Sequence, residues 1–298
     1  MKYQLSSFSD CANLDIITDG MFSELGMIEH NLKNMLTIYY EKHYLKRLES
    51  NTNIRAVITT KDLADDLQNY YVAVSSNPIE SYYKIHNHLF YNTSHFGRKY
   101  DTTIGSGCMI SENAVISTKN VKIGKNCVIE DFVTIHENTA IGNDVKIASG
   151  THIGCNGFET KVIDGNRMII PHAGGVLIGD NVEILSNCTV ARGLGRQNTQ
   201  IGYSTKIDTK VHLAHGAVIG KLVTIASGAT LSGSASVGDN VWIGPNACIS
   251  NGINIGENAR ITIGSTVIKD VKKDGQVSGY FSINHKDYIK QRYKLSKL

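Results

Sequence analysis

Proline is scarce in this chain, with only three in 298 residues. A continuous backbone ladder that needs its N–H donors is therefore open to it. Charge is nearly balanced. A net +3 is too weak to argue for nucleic acid as a partner. No apolar run is long enough to span a bilayer and the N-terminus does not read as a signal peptide, so the expectation is a soluble, cytoplasmic protein without a membrane span. The six cysteines, Cys11, Cys108, Cys127, Cys155, Cys188 and Cys248, show no CxxC spacing. They read as reduced, buried fillers, which excludes a disulfide framework and a zinc ribbon. The length is enough for two domains.

What the chain does have is one six-residue unit, repeated from Ile104 to Val267: IGKNCV, IGNDVK, IGDNVE, IGPNAC, IGENAR. An aliphatic residue recurs at Ile104, Ile110 and Ile116, then from Ile123 to Ile153, at Ile178, Ile184 and Val190, and without a break from Ile201 to Val267. A fixed short period dictates architecture almost alone. Two interruptions break it. One covers residues 154–177 and contains GCNGFETKVIDGNRMIIPHAGG; the other covers 191–200 and reads ARGLGRQNTQ. Long extrusions from a solenoid either carry function or are tolerated insertions.

The hexads resemble those of the hexapeptide-repeat proteins. That resemblance implies a left-handed parallel β-helix of triangular section, with the aliphatic residue pointing inward and Gly, Asn and Asp at the corners. Nine, three and twelve hexads make eight coils, a prism roughly 38 Å tall at the spacing of paired strands. Each coil buries only its own ring, so stability comes from stacking on neighbours.

Residues 1–98 lack the hexad and read as a small α/β domain. The runs IRAVITT (54–60) and YVAVSS (71–76) are strand-like. After them Asn77 can cap a helix, Pro78 fits its first turn and Glu80 suits its dipole. Tyrosines are dense here and serve either to stack on a base or as core. Residues 99–270 are the expected prism and 271–298 a tail with a short basic helix, which either attracts an acidic partner or is simply solvated.

Of eleven histidines, those in KIDTKVHLAHGAVIG have context. Leu213 is the inward residue, so His212 and His215 lie off the core position. Asp208 precedes His215 by seven residues, about one hexad, and a His–carboxylate pair on a rigid ladder makes a general base with its orienter.

This segment resembles the IDN-x-x-QIAHN-x-x-IG stretch of the UDP-3-O-acylglucosamine N-acyltransferases of lipid A synthesis. GCNGFETKVIDGNRMIIPHAGGVLIGDNVEI is similar to that family's G-A-D-G-F … K-I-P-Q-x-G segment, and residues 54–85 are similar to its N-terminal domain, so the resemblance covers nearly the whole chain. It implies transfer of an acyl group from a thioester, on coenzyme A or acyl carrier protein, to the amine of a nucleotide-activated amino sugar, for surface glycan or lipid A synthesis. It further implies a homotrimer with active sites between subunits, and no bound cofactor or metal. His215 matches the general base, Asp208 its orienter and Gly233 the glycine whose N–H faces the oxyanion. Tyr44, Glu41, His212, Gly216 and Phe158 match substrate-binding positions, with Tyr39 or Tyr40 as a replacement stacking ring. Departures fall in recognition: Ile253 stands for the family's second histidine, Gly216 for an asparagine, Ala191 for an aspartate and Ile38 for a phenylalanine. The acceptor is therefore open, and a related nucleotide-linked amino sugar is one alternative. Two other classes also stay open. One is a non-catalytic β-helix scaffold. The other is a γ-type carbonic anhydrase, which needs three histidines on zinc, where the repeat adds only His136 and His152, with His172 in the first interruption.

Overall fold

The computed structural model describes residues 1–97, 100–279 and 284–295. From Thr103 to Val277 the chain winds as a left-handed parallel β-helix whose three faces are sheets of eight, nine and eight strands. The strands of the first face end at Ile104, Ile123, Ile141, Ile178, Ile201, Ile219, Val237 and Ile255. The second face begins at Ile110 and the third at Ile116, so each coil takes three hexads in chain order. The inward aliphatics stack in phase, for example Leu213 over Val190 and under Leu231, with one register shift at Ile153–Cys155, where the first interruption leaves the prism. Eight full coils match the count expected from the period. The ladder also continues past residue 270: Val271 bridges Ile255, and Gln276–Val277 pairs with Arg260–Ile261. The prism therefore overruns the boundary that the hexads alone marked.

Period six works because the inward aliphatic and the small residue two positions earlier both face the axis. Cys127, Val145, Val182, Ala229, Ala235 and Ala259 are fully buried in that second role. The corners need left-handed backbone. Asn126, Asn181, Asn240 and Asn258 supply it with φ of 57° to 59°, a conformation that asparagine tolerates. Burial grows from the open end: Ile104 is 48% exposed, Ile123 only 4%. All six cysteines are free. Cys127 and Cys188 are core fillers as expected, but Cys11 and Cys248 are exposed, because Cys248 occupies an outward position beside Thr266 and Thr230.

The N-terminal domain is a five-stranded sheet with Asp15–Thr18 antiparallel at one edge, followed by Tyr71–Val74, Ile54–Thr59, Met35–Tyr39 and Glu24–Leu25 in parallel. The helix Pro78–Asn92 starts where Asn77 Oδ1 accepts the Glu80 N–H at 3.2 Å. Strand alternation sends Leu36, Ile38, Ala56 and Ile58 towards this helix, and Met35, Tyr39 and Val57 towards the opposite core. Tyr39 is fully buried there, with its hydroxyl 3.5 Å from Asp66, and it is not free to stack on a base. In the tail, the described helix is His285–Leu295; residues 280–283 and 296–298 lie outside the described residues.

Both interruptions of the repeat leave the prism after a third-face strand, so both emerge on the edge between the third and first faces. The first forms a hairpin, Thr160–Ile163 with Asn166–Ile169, and its Ile163 and Ile170 complete the core of the N-terminal domain. Lys84 Nζ is 2.6 Å from Asp164, and the Asp164 N–H donates to Glu80 at 2.9 Å. In the second interruption, Arg196 pairs with Glu24 at 2.5 Å and donates to the His95 carbonyl at 2.6 Å. The extrusions thus clamp the N-terminal domain over one edge of the prism.

Candidate active site

That edge carries a column of side chains two positions after each inward residue of the third face: Glu137, Cys155, Arg192, His215, Gly233 and Asn251, on successive coils. His215 sits in the middle, confirmed off the core by Leu213 pointing inward at full burial. It lines a partly open chamber of about 170 Å³ with Glu159, Gln197, Ser234 and Asn251 from the prism side and His30, Tyr82, Tyr83 and His86 from the N-terminal domain.

Two glycines make room for the imidazole. A Cβ at Gly233 would lie 2.6 Å from Cε1 and Nε2 of His215, and a Cβ at Gly157 would lie 2.8 Å from its Cβ. Both contacts are shorter than any real side chain permits, so the ring fits only between two residues that lack one. No hydrogen bond from the Gly233 N–H is seen among the described residues. His172 packs edge-on against His215 with ring centroids 5.2 Å apart. Its Nδ1 is 2.9 Å from the Ile170 carbonyl. Its Nε2 and the His215 Nδ1 are buried without a partner. Burial lowers the pKa of His215, opposed by the charge of Glu159. Burial, reinforced by His215, pushes His172 down to about 4. Both rings are therefore neutral at pH 7, and a neutral imidazole can take a proton.

Within this one chain, the carboxylate near His215 is Glu159 and Asp208 lies elsewhere. Asp208 stands on the preceding edge, between the second and third faces, where Oδ1 accepts the Thr209 N–H at 2.7 Å and Oδ2 the Ser227 N–H at 3.2 Å. Seven residues span one side of the triangle, so the spacing carries the aspartate to the neighbouring corner instead of back to the histidine. Glu159, in the first interruption, has its Oε2 4.0 Å from His215 Nε2. Sequence reasoning missed it, although it directly follows the Gly157–Phe158 pair that was singled out.

The other expected substrate contacts scatter. His212 is half-buried on the third face between Thr189 and Thr230, with its pKa lowered by burial and by His215. Gly216, at φ +68°, turns the corner and lines an outer groove of about 290 Å³ with His30, Asn31 and Gln197. The contact between His30 and Gln197 separates this groove from the chamber. Phe158 is 78% exposed. Glu41 faces His43 at 3.2 Å, and Tyr44 packs on His43 with Arg47 over its ring. Neither lines the chamber. The rings that do, Tyr82 and Tyr83, sit on the capped helix, and only the fold reveals that this helix faces His215.

Below the chamber lies a larger cavity of about 590 Å³ bordered by Phe90, Phe96, Glu137, His172 and Arg192. Arg192 is buried and donates to the Gly154 carbonyl at 2.6 Å. Among the described residues no three His, Cys, Asp or Glu side chains converge to hold a metal, and no helix is long and apolar enough to cross a membrane.

The prism and its loaded edge define a left-handed hexapeptide-repeat β-helix protein. Comparison with known proteins agrees. The family model "Bacterial transferase hexapeptide (six repeats)" matches residues 120–155, and "Hexapeptide repeat of succinyl-transferase" matches 101–131 and 234–269. The chain is similar to UDP-3-O-acylglucosamine N-acyltransferase of Maricaulis maris (strain MCS10), 51% identical over 83 residues, covering 28% of this chain and 24% of the relative. It is also similar to UDP-3-O-acylglucosamine N-acyltransferase 1 of Francisella tularensis subsp. holarctica (strain OSU18), 39% identical over 104 residues, covering 34% of this chain and 30% of the relative. The matches thus span about a quarter to a third of these curated relatives. Among solved structures, UDP-N-acetylglucosamine acyltransferase from Campylobacter jejuni shares the fold, with a TM-score of 0.54 at 24% identity over 65% of this chain and 79% of that one.

Proposed function

We propose that this protein is an N-acyltransferase that moves an acyl group from a thioester, on coenzyme A or acyl carrier protein, to the amine of a nucleotide-activated amino sugar in surface glycan or lipid A synthesis. The observation that carries this reading is a neutral, half-buried His215 wedged between Gly157 and Gly233, on a chain similar to sugar-nucleotide N-acyltransferases. In the step, the amine nitrogen attacks the thioester carbonyl carbon while His215 Nε2 takes its proton. The Gly233 N–H donates to the developing oxyanion. The C–S bond then breaks, and the thiolate receives the proton from His215. Because the ester is already activated, the chemistry needs no metal. The reacting amine occupies the chamber beside His215. The working assembly is a homotrimer of prisms; light scattering on the pure protein tests it, and a monomer contradicts it.

Replacing His215 with alanine is expected to lower kcat by roughly 10²–10⁴-fold with the fold intact. Assay of UDP- and dTDP-amino sugars against acetyl-, 3-hydroxyacyl- and carrier-protein thioesters identifies the pair to use. Near-normal turnover in the alanine variant removes His215 from the chemistry.

A further inference from the structure

We propose that Glu159 and His215 form an amine-selecting clamp, in which one acceptor nitrogen donates one N–H to the Glu159 carboxylate and a second to His215. This rests on the acyltransferase reading and names the residue that decides between nitrogen and oxygen acceptors.

The side chain of Glu159 is held on one side only. Its carbonyl accepts the Ile170 N–H at 2.8 Å, which closes the base of the hairpin. Its Oε1 lies 2.6 Å from Lys161 Nζ, and that ammonium lies 5.1 Å from the Tyr83 ring centroid. Among the described residues Oε2 has no hydrogen-bond donor, and it faces His215 Nε2 at 4.0 Å. That separation is too long for a direct hydrogen bond and right for one atom between them. An atom about 2.9 Å from each subtends an angle of roughly 90°, within the bend that two N–H donors of one amine tolerate. With the sugar carbon as its third substituent, the nitrogen keeps its lone pair for the thioester carbon.

A hydroxyl acceptor cannot do this. It has one proton, which must go to His215, so a lone pair would be left facing a half-buried carboxylate. Such an unmet buried group is what makes polar sites reject analogues. Charged or titratable groups near the clamp include Lys161, which neutralises Glu159, Arg196 and His30 on the same wall, and the neutral His86 and His172, with the Tyr82 and Tyr83 phenols held protonated by burial. During the reaction the C–N bond forms and the C–S bond breaks. The proton passes from nitrogen to His215 and on to the thiolate, and Glu159 only accepts a hydrogen bond.

The test uses the full chain labelled with ¹³C-histidine, with the His215 signal assigned from the His215→Gln spectrum. Glucosamine and glucose are titrated separately. In the wild type, glucosamine is expected to move the His215 Cε1 resonance with an apparent Kd at least about tenfold below that of glucose. Glu159→Gln, which keeps the shape, should abolish the difference, and Glu159→Asp should keep part of it. In acylation assays the amine-to-hydroxyl turnover ratio should fall by roughly 10² in Glu159→Gln. An amine preference that survives in Glu159→Gln, or is absent from the wild type, overturns the clamp. A wild type that prefers the amine in the titration yet acylates no sugar nucleotide overturns the acyltransferase reading and leaves the clamp standing.

Discussion

Two edges of the same prism use the same corner position in opposite ways. Between the first and second faces, polar side chains cap backbone amides of adjacent coils: Asn143 accepts from Lys125 N–H at 2.9 Å, Asp180 from Asn143 N–H at 2.7 Å and Asp239 from Lys221 N–H at 2.8 Å. Between the third and first faces, His215 Nδ1 and His172 Nε2 find no partner, and glycines stand where side chains would fill the space. The difference teaches that the repeat supplies identical sites and that the extruded segments decide which become structural. Where nothing covers a corner, its side chain closes onto the ladder. Where the hairpin and the N-terminal domain roof it over, the polar atoms are kept from both water and the ladder.

The largest effect that probes this contrast comes from Gly233. Gly233→Ala places a methyl group against the imidazole and is expected to lower kcat/KM by roughly 10² or more, while the melting temperature stays within a few degrees. Asp239→Ala on the capping edge should do the reverse, leaving kcat/KM unchanged and costing about 1–2 kcal/mol in urea unfolding. If Gly233→Ala acts mainly on stability, the two edges are alike.

Acid separates the regions next. His86, His95 and His172 are buried, and each has its pKa pushed down from 6.5 to about 4, first of all by that burial. The unfolded chain binds these protons at higher pH than the folded one does. Their neutral burial is therefore fully compatible with folding above about pH 6.5, and stability falls as pH drops from there towards 4. All three lie in the N-terminal domain or the loop that it covers, so that domain should loosen first. Trp242, the sole tryptophan, sits on the outer second face. Its fluorescence should report an intact prism at a pH near 5 where near-ultraviolet tyrosine dichroism is already lost. Coincident transitions would show one cooperative unit.

Asp208 gives a smaller and more diagnostic effect. As a corner cap, its replacement by alanine should cost about 1–2 kcal/mol and change kcat by less than about tenfold, whereas an orienter of His215 would cost roughly 10⁴. Smallest of all, Leu222 holds a left-handed φ of 56° while 55% exposed. Leu222→Asn should raise stability by up to about 1 kcal/mol, measurable as a rise of a few degrees in melting temperature.

The prism was legible because its signal is purely local: outside the two interruptions, every inward aliphatic from Ile123 to Val267 obeys one period, and stacking in register is the only way to bury them all. The capped helix at Asn77 was legible for the same reason. His215 could be picked out because Leu213 fixes which way the chain faces. Its surroundings could not. Tyr82, Tyr83 and Glu159 reach it from segments outside the repeat, and the spacing that drew attention to Asp208 counted residues along the chain where a triangle measures corners.

By itself, then, the sequence determined the β-helix, its eight coils, the outward placement of His215 and the glycine one coil above it, since each follows from a period of six and the size of a side chain. Only the tertiary structure decided which carboxylate stands near the histidine and which domain encloses it. Those contacts join residues far apart in the chain, and they exist because both interruptions leave the prism on one edge and bury Ile163 and Ile170 in the N-terminal core.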